Sequence, residues 1–528
     1  MQDISQQYSE RLSLLNKAEL LSTLSGIQHG VERESLRINP NGSLAQTSHY
    51  RELGSALTHR FITTDFAESL LEFITPPEMD SRTTLAQLSD THKFTMQHMG
   101  IERLWPMSMP CYIRGEDDIQ LAYYGESNVG RMKTLYRKGL KNRYGSMMQT
   151  ISGIHFNFSL PDDFWQEYLP QVKDEKATRD ATSAAYFSIL RNYRRYCWLL
   201  PYLYGASPTM CASFLGDREH NLDFQKMGKG TLFMPYVTSL RMSDLGYTND
   251  AQSGLQICYN HIDTYVDLLR QATNTPSPQY AKFAGKVDGE YQQLNGNILQ
   301  IENELYSPIR PKQPTISLEK PTDALADRGV SYVEVRVLDV NPFSPVGITL
   351  EQMRFLDVFL LYCLVKPSPQ FDTDSFEHAG ENMEKVVLEG RNPALKLNRD
   401  GENILLSEWG GKILDEMVEI AQILDKANNT TEYTQALAHE RKAINDPSLT
   451  ISGRILHELM GNGKELDNGE FALMKADEYR QFFTDTSYQI YDEEFFKQQA
   501  EQSWRLQQQI EAEDKISFDE FMKQQFGN

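Results

Sequence analysis

Glu32 and Glu34 stand two residues apart in the run Gly30-Val31-Glu32-Arg33-Glu34-Ser35-Leu36-Arg37. In an extended strand side chains alternate, so Glu32, Glu34 and Leu36 share one face while Val31, Arg33 and Ser35 share the other. Two carboxylates that close repel, and a cation between them keeps both ionised. A hard divalent ion that takes oxygen ligands, such as Mg²⁺, does this well. A solvated edge strand would read the same over this run alone; what separates the two readings is that similar strands recur further along.

Three later segments share the design. Ser69-Leu70-Leu71-Glu72-Phe73-Ile74-Thr75 reads as a strand with Leu70, Glu72 and Ile74 on one face. It follows Thr63-Thr64-Asp65-Phe66-Ala67-Glu68, whose opening residues suit strand or helix. In Gly153-Ile154-His155-Phe156-Asn157-Phe158-Ser159-Leu160, the Ile and Phe residues form a dry face and His155, Asn157 and Ser159 a polar one. In Ser331-Tyr332-Val333-Glu334-Val335-Arg336-Val337, the valines are dry and Tyr332, Glu334 and Arg336 are wet. Such strands predict a sheet with one face on a core and the other lining a cleft. The wet set is Glu32, Glu34, Glu72, His155, Glu334 and Arg336, with Asp65 nearby. Carboxylate-rich ligation of this kind favours Mg²⁺ or Mn²⁺ over zinc. His155 taken alone reads as a half-buried structural histidine; flanked by the Glu strands it reads equally as a ligand.

Around these strands the pattern predicts helices over residues 5–24, 85–99 and 350–365, the last a strongly apolar run ended by Lys366-Pro367-Ser368-Pro369. Asn39-Pro40-Asn41-Gly42-Ser43 carries a hairpin-turn signal. Residues 106–126 read as a loop, 161–200 as helical, and 256–272 and 276–291 as helices or helix–loop segments. Residues 131–144 form a basic island (Arg131, Lys133, Arg137, Lys138, Lys141, Arg143) that suits either a solvated helix face or anion binding. After the proline pair the chain turns acidic and helical, with no strand expected. The expected division is a sheet-bearing catalytic region, 1–366, and a helical lobe, 367–528, packed on it as one integrated domain.

The 528 residues are 40% hydrophobic and 24% charged, an ordinary globular composition, with a net charge of -21. That charge argues against nucleic acid or an anionic membrane as the main partner. It leaves room for anionic substrates if metal ions or local arginines reverse the field inside a site. Five widely spaced cysteines with no C-x-x-C pattern suit a reducing cytosol. The first residues lack a basic segment followed by an apolar core, so no export signal is expected. The most apolar stretch is too short to span a bilayer. There is no P-loop, no G-x-G-x-x-G after a strand, and no H-E-x-x-H or G-x-S-x-G. Gly228-Lys229-Gly230 reads as a plain turn rather than a phosphate loop. Phosphoryl transfer from Mg-ATP, with metals neutralising charge and an arginine steadying it, is the chemistry that suits a carboxylate-lined sheet.

Several motifs together resemble the proteobacterial type of glutamate–cysteine ligase. They are Gly26-Ile27-Gln28-His29-Gly30-Val31-Glu32-Arg33-Glu34, Thr63-Thr64-Asp65-Phe66-Ala67-Glu68, Gln149-Thr150-Ile151-Ser152-Gly153-Ile154-His155, Ser239-Leu240-Arg241-Met242-Ser243-Asp244-Leu245-Gly246-Tyr247, Gln300-Ile301-Glu302-Asn303-Glu304-Leu305-Tyr306, and Glu334-Val335-Arg336 through Asn341-Pro342-Phe343. The similarity runs from about residue 20 to about residue 365. It implies an α+β, glutamine synthetase-like fold: a curved antiparallel sheet forming a half-open barrel, surrounded by helices. It implies ATP-dependent joining of the L-glutamate γ-carboxylate to the L-cysteine amine, the first step of glutathione biosynthesis, by a cytoplasmic monomer using Mg²⁺. By position, the resemblance makes Glu34, Asp65 and Glu72 ligands of one metal, and Glu32, His155 and Glu334 ligands of an ATP-bridging metal. It sets Arg336 against the transferred phosphoryl group, with Glu32, Glu334 and Arg336 carrying the chemistry. Phe66, Tyr136, Leu140, Gln149, Arg241, Tyr247 and Tyr306 match the family's cysteine pocket, with Arg241 as carboxylate partner. The alternatives are a related carboxylate–amine ligase with another amine, and an acidic metal-binding protein without catalysis.

Overall fold

Gln28–Ile38 (β1), the eleven-residue strand that carries Glu32 and Glu34, is the axis of a seven-stranded sheet. The computed structural model describes residues 4–169, 172, 174–216, 218, 220–246, 252 and 255–527. Ile62–Thr64 (β2) pairs with Leu70–Ile74 (β3), and β3 pairs with one edge of β1, whose far end also meets Arg103–Leu104 (β4). Gly153–Ser159 (β5) takes the other edge of β1. Ile309–Lys312 (β6) and Tyr332–Asp339 (β7) follow, giving the order β6-β7-β5-β1-β3-β2, antiparallel at every pairing.

Alternation sorts the two faces. Val31, Phe73, Phe156, Phe158, Val333 and Val335 are fully buried on the dry side. Helix Ser81–His98 packs over β1 and β3 there. Helix Leu350–Val365, closed at its start by a Thr349/Gln352 capping box, is buried on all sides, which is why its sequence shows an apolar run and no stripe. Its one acidic residue beyond the first turn, Asp357, lies 2.8 Å from His29 of β1. Arg33 is also on the dry face. Its guanidinium donates to the Pro345 carbonyl and to His92 Nε2, each at 2.7 Å, and burial pushes it down to about 10. His92 Nδ1 donates to Leu88 O, which leaves Nε2 as the acceptor for Arg33. Burial and then Arg33 hold His92 well below its usual range, in its neutral form.

Some sequence expectations need correction. Residues 5–24 form two helices, Ile4–Leu15 and Ala18–Thr23, because Lys17 is extended and breaks the run. The segment after 366 is not strand-free: Lys396–Arg399 and Glu402–Leu405 form a hairpin. Residues 276–291 hold a 3₁₀ turn and a second hairpin, Lys286–Val287 with Glu290–Tyr291. Both hairpins turn on Asp-Gly with positive φ at each residue: 52° and 87° at Asp288-Gly289, 52° and 90° at Asp400-Gly401. Two left-handed residues match the strand twist, and Asp-Gly tolerates them best. Gly228-Lys229-Gly230 is a turn whose Lys229 N–H donates to the Asp467 carboxylate at 3.0 Å. One hydrophobic core runs from Leu12 through the sheet to Phe496, spanning both sides of residue 366. Among the described residues no helix is long and apolar enough to cross a membrane, and all five cysteines are free thiols.

Candidate active site

The register sets the wet-face residues side by side. Glu32 lies opposite His155, and Glu34 opposite Glu72. His155 Nδ1 is 3.1 Å from Glu32 Oε2 and 3.8 Å from Glu334 Oε1; its Nε2 is 3.7 Å from Glu34 Oε1. Asn157 Nδ2 donates to Glu32 Oε1 at 2.9 Å, and the Gly153 N–H donates to Glu34 Oε2 at 2.7 Å. Arg336 Nη1 is 3.1 Å from Glu334 Oε1. Between Val335 and Leu338 the β7–β5 register shifts by one residue, a bulge at Arg336 and Val337 opposite His155. Bulges occur beside active sites, and here the two residues left outside the ladder are the cleft-lining Arg336 and the buried Val337.

These groups line a cleft of about 460 Å³. Six carboxylates and six Lys or Arg side chains face it, so a chain of strongly negative net charge keeps a charge-balanced interior here. The carboxylates do not ionise alike. Burial and the charges of Glu32, Asp65 and Glu34 drive Glu72 well above the usual range, and burial raises Glu34. Burial would also raise Glu334, yet Lys312, Arg336, His155 and Arg310 around it hold it well below. Burial pushes Glu32 up, but the His155 hydrogen bond and the charges of His155 and Lys312 together bring it below the usual range. Lys133 is pushed down to about 8 by burial and Arg137.

The donor set fits a hard divalent cation. Ligand atoms of Glu32, Glu72 and His155 lie within 4.8 Å of one another. Among the described residues the buried Glu334 Oε2 has no hydrogen-bond partner; Lys312 Nζ lies 3.6 Å from it. A cation held by several oxygens and one imidazole would relieve the repulsion that raises Glu72.

The same cleft is lined by Phe66, Tyr136, Leu140, Gln149, Arg241 and Tyr306. Gln149 Nε2 donates to the Tyr306 hydroxyl at 2.8 Å. Arg241, nearly fully buried, donates to the Arg336 carbonyl at 2.8 Å and lies 3.8 Å from Asp339. A Cβ on Gly153 would come within 2.2 Å of Arg241 Nη2, so this crossing requires glycine. Tyr247 lies outside the described residues.

The family model for glutamate–cysteine ligase matches residues 12–386. Glutamate–cysteine ligases of Serratia proteamaculans and Shewanella oneidensis are each 47% identical, over 96% and 98% of this chain and 96% and 99% of their own. The chain belongs to the glutamate–cysteine ligase family. The crystal structure of the Francisella tularensis glutamate–cysteine ligase in complex with AMP superimposes with a TM-score of 0.87 at 38% identity, covering 95% of this chain and 97% of that one.

Every residue that the resemblance to glutamate–cysteine ligases singled out, apart from Tyr247, lines this one cleft. Four more cations line it: two from the basic island already read as suiting either a solvated face or anion binding, and two, Arg310 and Lys312, that the sequence reading missed. Lys133 and Arg137 come from the basic island, which forms helix Asn128–Tyr144; Arg137 donates to the Asp65 carbonyl and stacks on Tyr124. Arg310 and Lys312 come from β6, where Arg310 lies opposite Glu334 and Lys312 opposite Tyr332. Their signal was the alternation Ile309-Arg310-Pro311-Lys312, masked by a proline that only an edge strand admits.

Proposed function

We propose that this chain joins the γ-carboxylate of L-glutamate to the amine of L-cysteine at the expense of ATP, through γ-glutamyl phosphate, giving γ-glutamylcysteine, ADP and phosphate as the first step of glutathione biosynthesis. The observation that carries the reading is the adjacency, in one cleft, of a carboxylate cluster with Arg336 and a compact pocket ending on Arg241. Family membership and the AMP complex of the Francisella tularensis relative support it.

Glu34, Asp65 and Glu72 would hold one divalent ion, and Glu32, His155 and Glu334 a second, Mg²⁺ in the first instance and Mn²⁺ in its place. When bound, such ions neutralise charge on the phosphate oxygens. Arg336 presents its planar fork to the transferred phosphoryl group, and Glu334 at 3.1 Å keeps that fork aimed. Arg310, Lys312, Lys133 and Arg137 offset the remaining negative charge. Arg241 orients the acceptor through its carboxylate, and Phe66, Tyr136, Leu140, Gln149, Tyr247 and Tyr306 confine its small side chain, so that the amine meets the activated carbonyl in a productive geometry. The antiparallel order supports the half-open barrel of glutamine synthetase-like enzymes, and the shared core supports one integrated domain. A cytoplasmic monomer completes the reading.

Phosphate release with ATP, glutamate and cysteine tests it, each omitted in turn. Release must stop at every omission. Release that ignores cysteine, or no release with any amino-acid pair, overturns it. An amine screen in the same assay separates it from a ligase for another acceptor.

A further inference from the structure

One wall of the cleft leans on a small hydrophobic cluster as well as on the main core. Leu135, Leu294 and Met522 form a hydrophobic cluster of their own. Met132, Tyr136 and Ile301 pack against it from the cleft side, and these three together with Leu294 line the cleft. From the outside the cluster is closed by Phe518–Phe526, a nine-residue helix whose Met522 is completely buried.

The same terminal segment grips the start of helix Asn128–Tyr144, which carries Lys133, Tyr136, Arg137 and Leu140 into the cleft. The Asn128 N–H donates to Asp514 Oδ2 at 2.6 Å, supplying a carboxylate at the positive end of that helix. Arg131 lies over the Phe518 ring at 4.2 Å. Lys286 Nζ, on the neighbouring hairpin, is 2.8 Å from Asp519. The family model ends at residue 386, far short of these contacts. Tyr136 packs against both this cluster and the main core, whereas Leu135, Leu294 and Met522 belong to the small cluster alone, so loosening that cluster shifts the Leu294 side of the wall while the sheet and its carboxylates stay in register.

We propose that the Phe518–Phe526 helix sets the shape of the acceptor-amine pocket, with Met522 a specificity-determining positioning residue that acts through Leu294 and Tyr136; this rests on reading that pocket as the cysteine site. A methionine side chain fills the gap between the two helices, and its removal leaves a cavity into which the Leu135–Leu294 layer relaxes.

The test uses full-length Met522→Ala and Met522→Leu. Phosphate release is measured against cysteine, 2-aminobutyrate, the longer 2-aminohexanoate, glutamate and ATP, alongside amide hydrogen exchange over residues 128–144. In Met522→Ala the KM for cysteine and 2-aminobutyrate should rise about ten-fold, with the ATP and glutamate KM within about two-fold of wild type. The preference for 2-aminobutyrate over 2-aminohexanoate should shrink at least about five-fold, since discrimination by one methylene or two is small and depends on a firm wall. Exchange over 128–144 should quicken, and Met522→Leu, which keeps the volume, should restore all of these. Unchanged acceptor KM and preference, or an equal rise in the KM for all three substrates, overturns the proposal. If Met522→Ala does not fold, Phe518→Ala carries the same comparison. A wild type whose phosphate release ignores cysteine is a failure of the pocket assignment itself, visible before any variant is made.

Discussion

Glu34 and Glu72 are direct partners across the β1–β3 ladder, on the face that lines the cleft. Like charges directly opposite on a ladder destabilise it. Here the repulsion is concentrated on Glu72, whose carboxyl burial and the neighbouring Glu32, Asp65 and Glu34 drive well above the usual range. Such a pair is held for function rather than for stability. Glu72→Gln should therefore raise the melting temperature of the metal-free protein. In activity, Glu34→Gln and Glu72→Gln should each lose about 10²-fold or more, the scale of one electrostatic stabiliser. Calorimetry in chelator and activity at saturating Mg²⁺ check the two halves separately; full activity in either variant would remove that residue from the metal site.

Arg336→Lys tests the phosphoryl end. A lysine keeps the charge but gives up the fork that suits an oxygen-rich anion. The expected result is a kcat loss larger than the rise in KM for cysteine. A pure KM effect would move Arg336 to ground-state binding of the acceptor.

Arg241→Ala tests the acceptor end. Asp339, its buried neighbour, keeps hydrogen bonds from the Ala206 N–H and the Ser207 and Ser239 hydroxyls, so the fold should survive. The KM for cysteine and for 2-aminobutyrate should rise together, because both present a carboxylate, while the KM for ATP stays put. Serine should remain a poor acceptor in wild type. A rise in glutamate KM alone would assign Arg241 to the donor site.

Glu440, buried in helix Glu432–Asn445 beside Tyr204 and Glu351, gives a pH prediction away from the cleft. Burial pushes its carboxyl from 4.5 up to about 8. Between those values the unfolded chain has released a proton that the folded protein still holds. Stability therefore falls as pH rises through that window, and the loss is complete above about 8. Glu440→Gln should flatten this slope and be more stable than wild type at pH 8.5, by up to about 4–5 kcal/mol. Denaturant titrations from pH 5 to 9 decide it; parallel curves for the two proteins would refute it.

The cleft was legible in the sequence wherever period-two alternation was clean. Glu32, Glu34, Glu72, His155, Glu334 and Arg336 were placed on one face by spacing alone; the ladders pair the first five there, and Arg336 lines the same cleft from the bulge. Helix Leu350–Val365 was legible to the residue because Thr349 opens it and Pro367 follows it. Two kinds of feature stayed hidden. Local ones were missed signals: Asp288-Gly289 and Asp400-Gly401 are hairpin turns in plain view, flanked by strands too polar to stand out. Others have no local signal. The bulge at Arg336 exists only relative to β5, and the support of Leu294 by Met522 joins residues more than two hundred positions apart.

That bulge makes β7 a strand of two phases. Before it, Glu334 faces the carboxylate cluster; after it, Leu338 takes the dry position opposite Ile154, and Asp339, opposite Gly153, reaches Arg241. Removing Val337 would delete the extra residue and restore an unbroken alternation, with Leu338 and Asp339 still opposite their present partners. Val337 is buried in the main core, so the deletion also leaves a gap there. Arg336 would stay in phase with Glu334 but would be drawn into the ladder opposite His155, losing the slack the extra residue gives it. A single-codon deletion at this point is expected to cost core packing and the freedom of the arginine together, while the pairings on either side of it stay in place.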